Sequence, residues 1–374
     1  MNRPVVLVLG PNRDAVSGIS THLNLLFASQ LANEFSLVHF QVGSEGRAEG
    51  WIGRLVRLVT SPFRVAIAIL LQRPAMVHIN TALNVRAYWR DLVYSIVAKV
   101  CGARVLYQVH GGALPQRFAR HSRIIAALLR ATFRVPDAII VLAQCELEAY
   151  RGFVPGQYIA LIPNAIDASL FAPRGPARAA GENSLKLGYL GRLIKEKGLH
   201  ETVEGVRIAR AGNVDARLVI AGSGPEEAEL RRHVAATALA DHVLLPGTVF
   251  GEHKMAMLAD IDVFVLATYH DEGLPYALLE AMAAGAAVIA TRAGAIPDVM
   301  AEGVHGLFVP PRDPEAIARA IARLATDRDL LARMSSACQR RIADGYSVER
   351  LAGDFLGLYS ELCAAKRLRV LAKS

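Results

Sequence analysis

The stretch LGYLGRLIKEKGLHETVEG, residues 187–205, decides the reading of this chain. An apolar run ends at Leu190, Gly191 permits a tight turn, Arg192 and Lys197 stand beside it, and from Leu199 apolar residues recur at helical spacing. A buried strand that turns through glycine into a helix is the first half of a βαβ unit. Two cations beside a helix N-terminus can neutralise a diphosphate, each charge-assisted hydrogen bond contributing about 1.5 to 3 kcal/mol; the same residues also make an ordinary basic turn.

Outward from this stretch the rhythm repeats. Apolar runs at residues 185–190, 216–221, 243–245, 262–266, 287–290 and 307–309 predict strands, each followed by a helical pattern. Another six precede them, at 5–9, 37–42, 76–80, 105–110, 138–142 and 158–161. Between the two sets, residues 171–184 lose periodicity and collect Pro, Gly and Ala, as a linker does. The expected organisation is α/β: a Rossmann-like, doubly wound domain over 1–170, a second over 185–346, and a C-terminal helix at 347–374 packing back toward the first. Helices also open at 314, where Asp313 caps and Pro314 takes the first position, and at 328. Two such domains place their switch-point crevices face to face, across a cleft suited to a nucleotide-bearing ligand.

Composition agrees. A chain of 374 residues exceeds what one core usually organises, and 53% hydrophobic against 20% charged residues excludes wholesale disorder. The cysteines, at 101, 145, 338 and 363, lie too far apart for a CxxC site and suit a reducing compartment. The opening apolar run, 5–9, reads as a buried strand rather than a secretory signal.

The net charge of +8 belongs wholly to one half: residues 1–172 hold 17 basic against 9 acidic side chains, and the remainder 25 against 25. No acid falls between Glu49 and Asp91 or between Asp91 and Asp137, while Arg54, Arg57, Arg64, Arg86, Arg90, Arg120 and Arg130 do. Such a face attracts phosphate. Residues 51–71 carry three arginines and Pro62, which argues against a membrane span. They predict two short amphipathic helices instead, 50–59 and 62–72, the second capped by Ser61 and lying on an anionic bilayer. The competing reading makes the apolar sides core and the arginines a solvated face. Nucleic-acid binding is disfavoured because no recognition module accompanies the charge.

Two further motifs carry chemistry. AGSGP, 221–225, leaves a strand through Gly222 and Gly224, a common structural turn when taken alone. YHDEGLPYALLEAMAAG, 269–285, is more specific: Glu272 precedes a helix beginning near Pro275, and Glu280 follows a little over two turns later. Carboxylates suit sugar hydroxyls, and a glutamate flanked by Leu278, Leu279, Ala281 and Met282 needs a partner. Asp260-Ile261-Asp262 spells a DxD pair, yet it leads straight into a strand and reads as structural. Asp14, in the loop 10–18, is a turn former that could also orient an acceptor hydroxyl.

GRLIKEKG, AGSGP, EGLPYALLE and EAMAAG, with VHGG at 109–112 and IPNAID at 162–167, together resemble the family-4 glycosyltransferases over nearly the whole length. That family is retaining, uses nucleotide sugars and has the GT-B fold. The resemblance implies that Arg192 and Lys197, with the backbone around Gly191 and Gly222, bind a donor diphosphate and that Glu280 binds the ribose. It assigns the donor sugar hydroxyls to Glu272 with Gly273 and Leu274, and places His110 against the same sugar. Gly18 would let a helix approach the phosphates, and Asp14 and Asn164 fall on the acceptor side. His110, Arg192, Lys197 and Glu272 form the catalytic set, with no metal and no further cofactor. The implied reaction moves a sugar from a UDP- or GDP-sugar to a saccharide or polyprenyl-diphosphate-linked acceptor in cell-surface polysaccharide synthesis, on the cytoplasmic face of a membrane. Rival readings are a nucleotide-sugar epimerase of the same fold and a non-catalytic nucleotide-sugar or polysaccharide binder. Ser17-Gly18, Asn164-Ala165 and Ala295-Ile296-Pro297-Asp298 depart from the glycine or glutamate many members carry there.

Overall fold

A computed structural model describes residues 3–45, 49–171, 184–237, 239–270 and 272–371, with side chains to 364. The chain forms two compact units, Met1–Ala165 with Val348–Ser374, and Ile166–Ser347. Most of the expected linker, 172–183, lies outside the described residues.

The first unit is a parallel sheet of β1 (Val5–Gly10), β2 (Ser36–Gln41), β3 (Met76–Leu83), β4 (Arg104–Gly112), β5 (Ala138–Val141) and β6 (Ile159–Leu161) in the order β2-β1-β3-β4-β5-β6. Successive residues of a strand point to opposite faces, and both faces here are covered. Leu7 and Leu9 of β1 pack with Val65, Ile69 and Tyr94 on one side. Val6 and Val8 pack with Leu23 and Leu26 on the other, joined by Leu351, Phe355 and Tyr359. Those last three lie on the C-terminal helix Val348–Leu371 at helical spacing, so the end of the chain completes the core that its beginning opens.

One expectation is corrected. Residues 51–72 form a single helix, Trp51–Gln72, with Pro62 in its interior rather than at a second start. Proline removes the hydrogen bond to the Leu58 carbonyl, but its fixed φ is compatible with a helix. Val65 and Ile69, buried one turn apart, anchor the second half, and the Tyr94 hydroxyl donates to Ser61 Oγ at 2.9 Å beside the proline. Ser61 therefore braces the helix from its middle and caps nothing.

The second unit repeats the plan with β7 (Leu185–Leu190), β8 (Ala216–Ala221), β9 (Val243–Gly247), β10 (Val263–Leu266), β11 (Ala287–Ala290) and β12 (Gly306–Phe308), ordered β12-β11-β10-β7-β8-β9 and parallel. Its β10 and β11 are buried at every residue, as strands covered on both faces must be. The helix Pro314–Thr326 does start on an Asp313 cap, whose carboxylate accepts from Ala316 N at 2.8 Å.

Candidate active site

In the second unit β7 and β10 are neighbours, and the chain leaves them in opposite directions, toward β8 and β9 on one side and β11 and β12 on the other. Loops that part in this way leave a crevice at the carboxyl edge of the sheet. Arg192 and Lys197 stand in the loop after β7, and Glu272 in the loop after β10. The structure brings two of them into contact: Lys197 Nζ donates to Glu272 Oε1, with only 14% and 10% of the side chains exposed. Thr268 Oγ1 lies 2.9 Å from the same carboxylate oxygen and 3.1 Å from the Glu196 carbonyl. A second tie between the loops runs from Tyr269 N to that carbonyl, at 2.9 Å.

The close fit of these loops depends on glycine. Gly294 has φ +53, and a Cβ there would overlap the Glu272 carbonyl; the neighbouring Ala295 N–H donates to that same oxygen at 3.3 Å. A Cβ on Gly222, at the end of β8, would overlap the Gly191 carbonyl, so the turns after β7 and β8 touch backbone to backbone. The Tyr189 hydroxyl donates to the Arg192 carbonyl at 2.9 Å and fixes the basic turn from below. Arg192 itself is exposed and its guanidinium has no hydrogen bond or ion pair among the described residues. Behind it, Gly198 caps the helix Leu199–Ala211, so the free N–H groups of a 13-residue helix begin at Leu199, two residues after Lys197.

Glu280 lies in the helix Tyr276–Ala283, and the partner its apolar setting demands is Lys254, whose Nζ donates to Glu280 Oε1 at 2.7 Å. Leu274 is buried and Gly273 half-buried ahead of that helix. Neither Lys254 nor Thr268 was a candidate in the sequence. Nothing in the helix Gly251–Asp260 marks one lysine as reaching a residue 26 positions on, and a threonine after a strand is common.

The remaining candidates belong to the first unit. His110, near the end of β4, donates from Nε2 to Asn80 Oδ1 at 2.9 Å, while its Nδ1 is buried with no hydrogen-bond partner among the described residues. It packs edge-on against His22 at 4.8 Å between ring centres. Deeper in the same core, His78 accepts from the Tyr359 hydroxyl at 2.8 Å and donates to Gln108 Oε1 at 3.0 Å. Burial pushes all three imidazoles down, His22 to about 4, His78 to about 3 and His110 well below its ordinary value, so each is neutral at physiological pH. Gly18 opens the helix Gly18–Ala28 behind a Ser17 cap, Asp14 is exposed in the preceding loop, and Asn164 is buried where Arg350 donates to the Pro163 carbonyl at 2.6 Å.

The acidic pair 260/262 is structural in its contacts. Asp262 accepts from Lys186 N at 2.9 Å and Asp260 pairs with Lys186 Nζ at 2.8 Å, at the amino end of β10 and away from the crevice. Among the described residues one group could hold a cation, His200 with Glu226 and Glu229; His200 Nε2 already bonds Glu226 at 3.0 Å.

Comparison with known proteins gives the family and the fold. The family described as glycosyl transferases group 1 matches residues 176–341. A GDP-mannose-dependent alpha-(1-6)-phosphatidylinositol monomannoside mannosyltransferase of Mycobacterium tuberculosis is 30% identical over 276 residues, 69% of this chain and 71% of the relative. A putative colanic acid biosynthesis glycosyltransferase of Salmonella typhimurium is 32% identical over 203 residues, 53% of this chain and 50% of the relative, so the chain spans about half that protein's length. Among solved structures, sucrose-phosphate synthase from Thermosynechococcus elongatus superposes with a TM-score of 0.77 at 21% identity, over 97% of this chain and 100% of the other. Anabaena HepE in complex with UDP and glucose gives 0.75 at 15% identity, over 96% and 100%. These likenesses, with two six-stranded parallel sheets, make the fold GT-B, and this chain belongs to the group 1 glycosyltransferases.

Proposed function

We propose that the chain is a retaining, metal-independent hexosyltransferase. It moves a sugar from a nucleoside diphosphate to a hydroxyl of a saccharide or polyprenyl-diphosphate-linked saccharide during cell-surface polysaccharide synthesis. The observation that carries this is the Lys197–Glu272 contact at the switch point of the second unit, with Arg192, in the same loop as Lys197, exposed and unpaired among the described residues. An ammonium has three N–H donors and Glu272 takes one, which leaves two for a diphosphate oxygen. Glu272 has a second oxygen to accept from sugar hydroxyls. The GDP-mannose of the mycobacterial relative and the UDP of the HepE complex keep both bases within the reading.

Cleaving the donor's C–O bond puts negative charge on the departing phosphate and positive charge on the sugar ring. Arg192, Lys197 and the N-terminus of the helix Leu199–Ala211 stabilise the first charge without a metal. Glu272, already held by a lysine and a threonine, is a poor nucleophile. A front-face path fits better: the acceptor oxygen bonds to the anomeric carbon on the side the phosphate leaves, and its proton passes to a phosphate oxygen. His110, held neutral by burial, supplies no positive charge to this scheme.

The reading places the protein on the cytoplasmic face of an anionic membrane. The helix Trp51–Gln72 supports this: only Val65 and Ile69 reach the core, while Trp51, Leu55, Leu58 and Phe63 are exposed among arginines, so most of its apolar surface is not core. By length and composition alone the helix could also span a bilayer, but Arg54, Arg57, Arg64 and Pro62 favour the interface. The test of the reaction is release of nucleoside diphosphate from a panel of UDP- and GDP-sugars, with and without EDTA, in the presence of lipid-linked saccharides. Release from one donor that EDTA leaves intact is expected; loss of release with EDTA contradicts metal independence.

A further inference from the structure

The first unit has a switch point of its own, because β1 leads to β2 on one side and β3 on the other. A cavity of about 610 Å³ opens there, floored by Asn80 and Thr81 at the end of β3 and walled by two helices, Trp51–Gln72 and Val85–Val100. The donor chemistry described above uses none of its charged residues.

The lining is built for an anion. Among the described residues four arginines line it, Arg54, Arg57, Arg86 and Arg90, against one acidic residue, Glu45. Two are held in place from behind: Arg57 by Glu49 at 2.9 Å, and Arg90 by the fully buried Asp91 at 2.6 and 3.0 Å. Thr81 also donates to Asp91, which ties the floor to the wall. Gly43, at φ +78, lets the loop after β2 pack on Arg90; a Cβ there would come within 2.9 Å of Nη1. The other two, Arg54 and Arg86, are exposed and have no side-chain hydrogen bond or ion pair among the described residues. Planar guanidinium groups bind phosphate oxygens in pairs, so fixed arginines at the wall and unpaired ones at the mouth suit a phosphate ester larger than a single ion. Leu58 lines the same cavity and is 62% exposed, continuing into the apolar face of its helix.

We propose that this cavity binds the diphosphate of a lipid-linked acceptor, with Arg54 and Arg86 contacting its oxygens and the exposed apolar residues of the helix Trp51–Gln72 taking the hydrocarbon chain. The proposal rests on the transferase reading and names the chemical class of its acceptor. The experiment measures binding of farnesyl diphosphate to the full chain by titration calorimetry, with inorganic pyrophosphate and farnesol as competitors and UDP and GDP binding measured alongside. In the double variant Arg54→Ala/Arg86→Ala, farnesyl diphosphate affinity is expected to fall about 10- to 100-fold, the loss of two solvent-screened charge-assisted hydrogen bonds. A matched variant, Arg232→Ala/Arg319→Ala in the second unit, removes the same charge and is expected to leave affinity unchanged. Pyrophosphate is expected to compete and farnesol to compete poorly. Equal loss in both double variants, no loss in the first, or competition by farnesol alone overturns the proposal. If neither UDP nor GDP binds the unaltered chain, the transferase reading fails while the farnesyl diphosphate comparison still decides the pocket.

Discussion

Replacing Lys197 with alanine separates a catalytic cation from a structural one. The ammonium is 14% exposed and bonded to a carboxylate that is 10% exposed, so screening by water is weak but present. As a preorganised donor aimed at charge that grows on the leaving phosphate, it contributes about 2.7 to 4 kcal/mol to the transition state, and its loss lowers kcat about 100- to 1,000-fold. Thr268 still bonds Glu272, so the carboxylate keeps one partner, and the stability cost is about 1 to 3 kcal/mol rather than the 3 to 5 of a fully buried charge left alone. The assay is steady-state release of nucleoside diphosphate at a temperature where both proteins are folded by circular dichroism, with kcat and KM determined separately. A fall in kcat with little change in KM is the expected signature. Turnover within threefold of the unaltered protein, or a rise in KM alone, refutes the assignment and leaves Lys197 a brace for Glu272.

Other consequences follow from the same contacts. Lys254→Ala removes the partner of Glu280 and is expected to weaken nucleotide binding about 10-fold with kcat nearly intact, and Lys254→Arg to restore part of it; equal affinity in all three proteins counts against a ribose role for Glu280. Gly294→Ala drives a Cβ into the Glu272 carbonyl and should destabilise by about 2 kcal/mol or more in urea, whereas Gly303→Ala, with φ +73 but open space around it, should cost about 1. The buried histidines predict acid sensitivity. Their folded-state values lie below the ordinary 6.5, so the unfolded chain binds more protons in between; stability is complete above pH 6.5 and falls toward pH 4. At a slope approaching about 1.4 kcal/mol per pH unit per group once the unfolded imidazole is mostly protonated, His22 and His78 together remove about 3 kcal/mol between pH 6.5 and 5, and a urea midpoint that does not move over that range contradicts the neutral cluster.

The fold was legible because fully buried parallel strands read as unbroken apolar runs, and all twelve runs became strands. Strand ends drifted by a few residues where polar positions continue the ladder, as at Thr81 in β3. Pro62 misled because local rules place proline at helix starts, while tertiary anchoring by Val65 and Ile69 carried the helix through it. In the site, Glu272 and Lys197 stood out as charges beside glycine turns, and the need for a partner at Glu280 was readable from its apolar neighbours. Lys254, Thr268 and the histidine cluster were not, since each depends on which strands and helices lie side by side, and spacing along the chain does not encode that.

The central claim is that the switch-point crevice of the second unit holds a nucleotide sugar for retaining transfer. Its most direct test is the anomeric configuration of the product, followed by NMR after incubation of the protein with an α-linked UDP- or GDP-sugar and a lipid-linked saccharide, with Lys197→Ala and Glu272→Ala in parallel. An α-linked product that disappears in both variants is predicted. A β-linked product, free epimerised sugar nucleotide, or undiminished transfer by either variant contradicts the account.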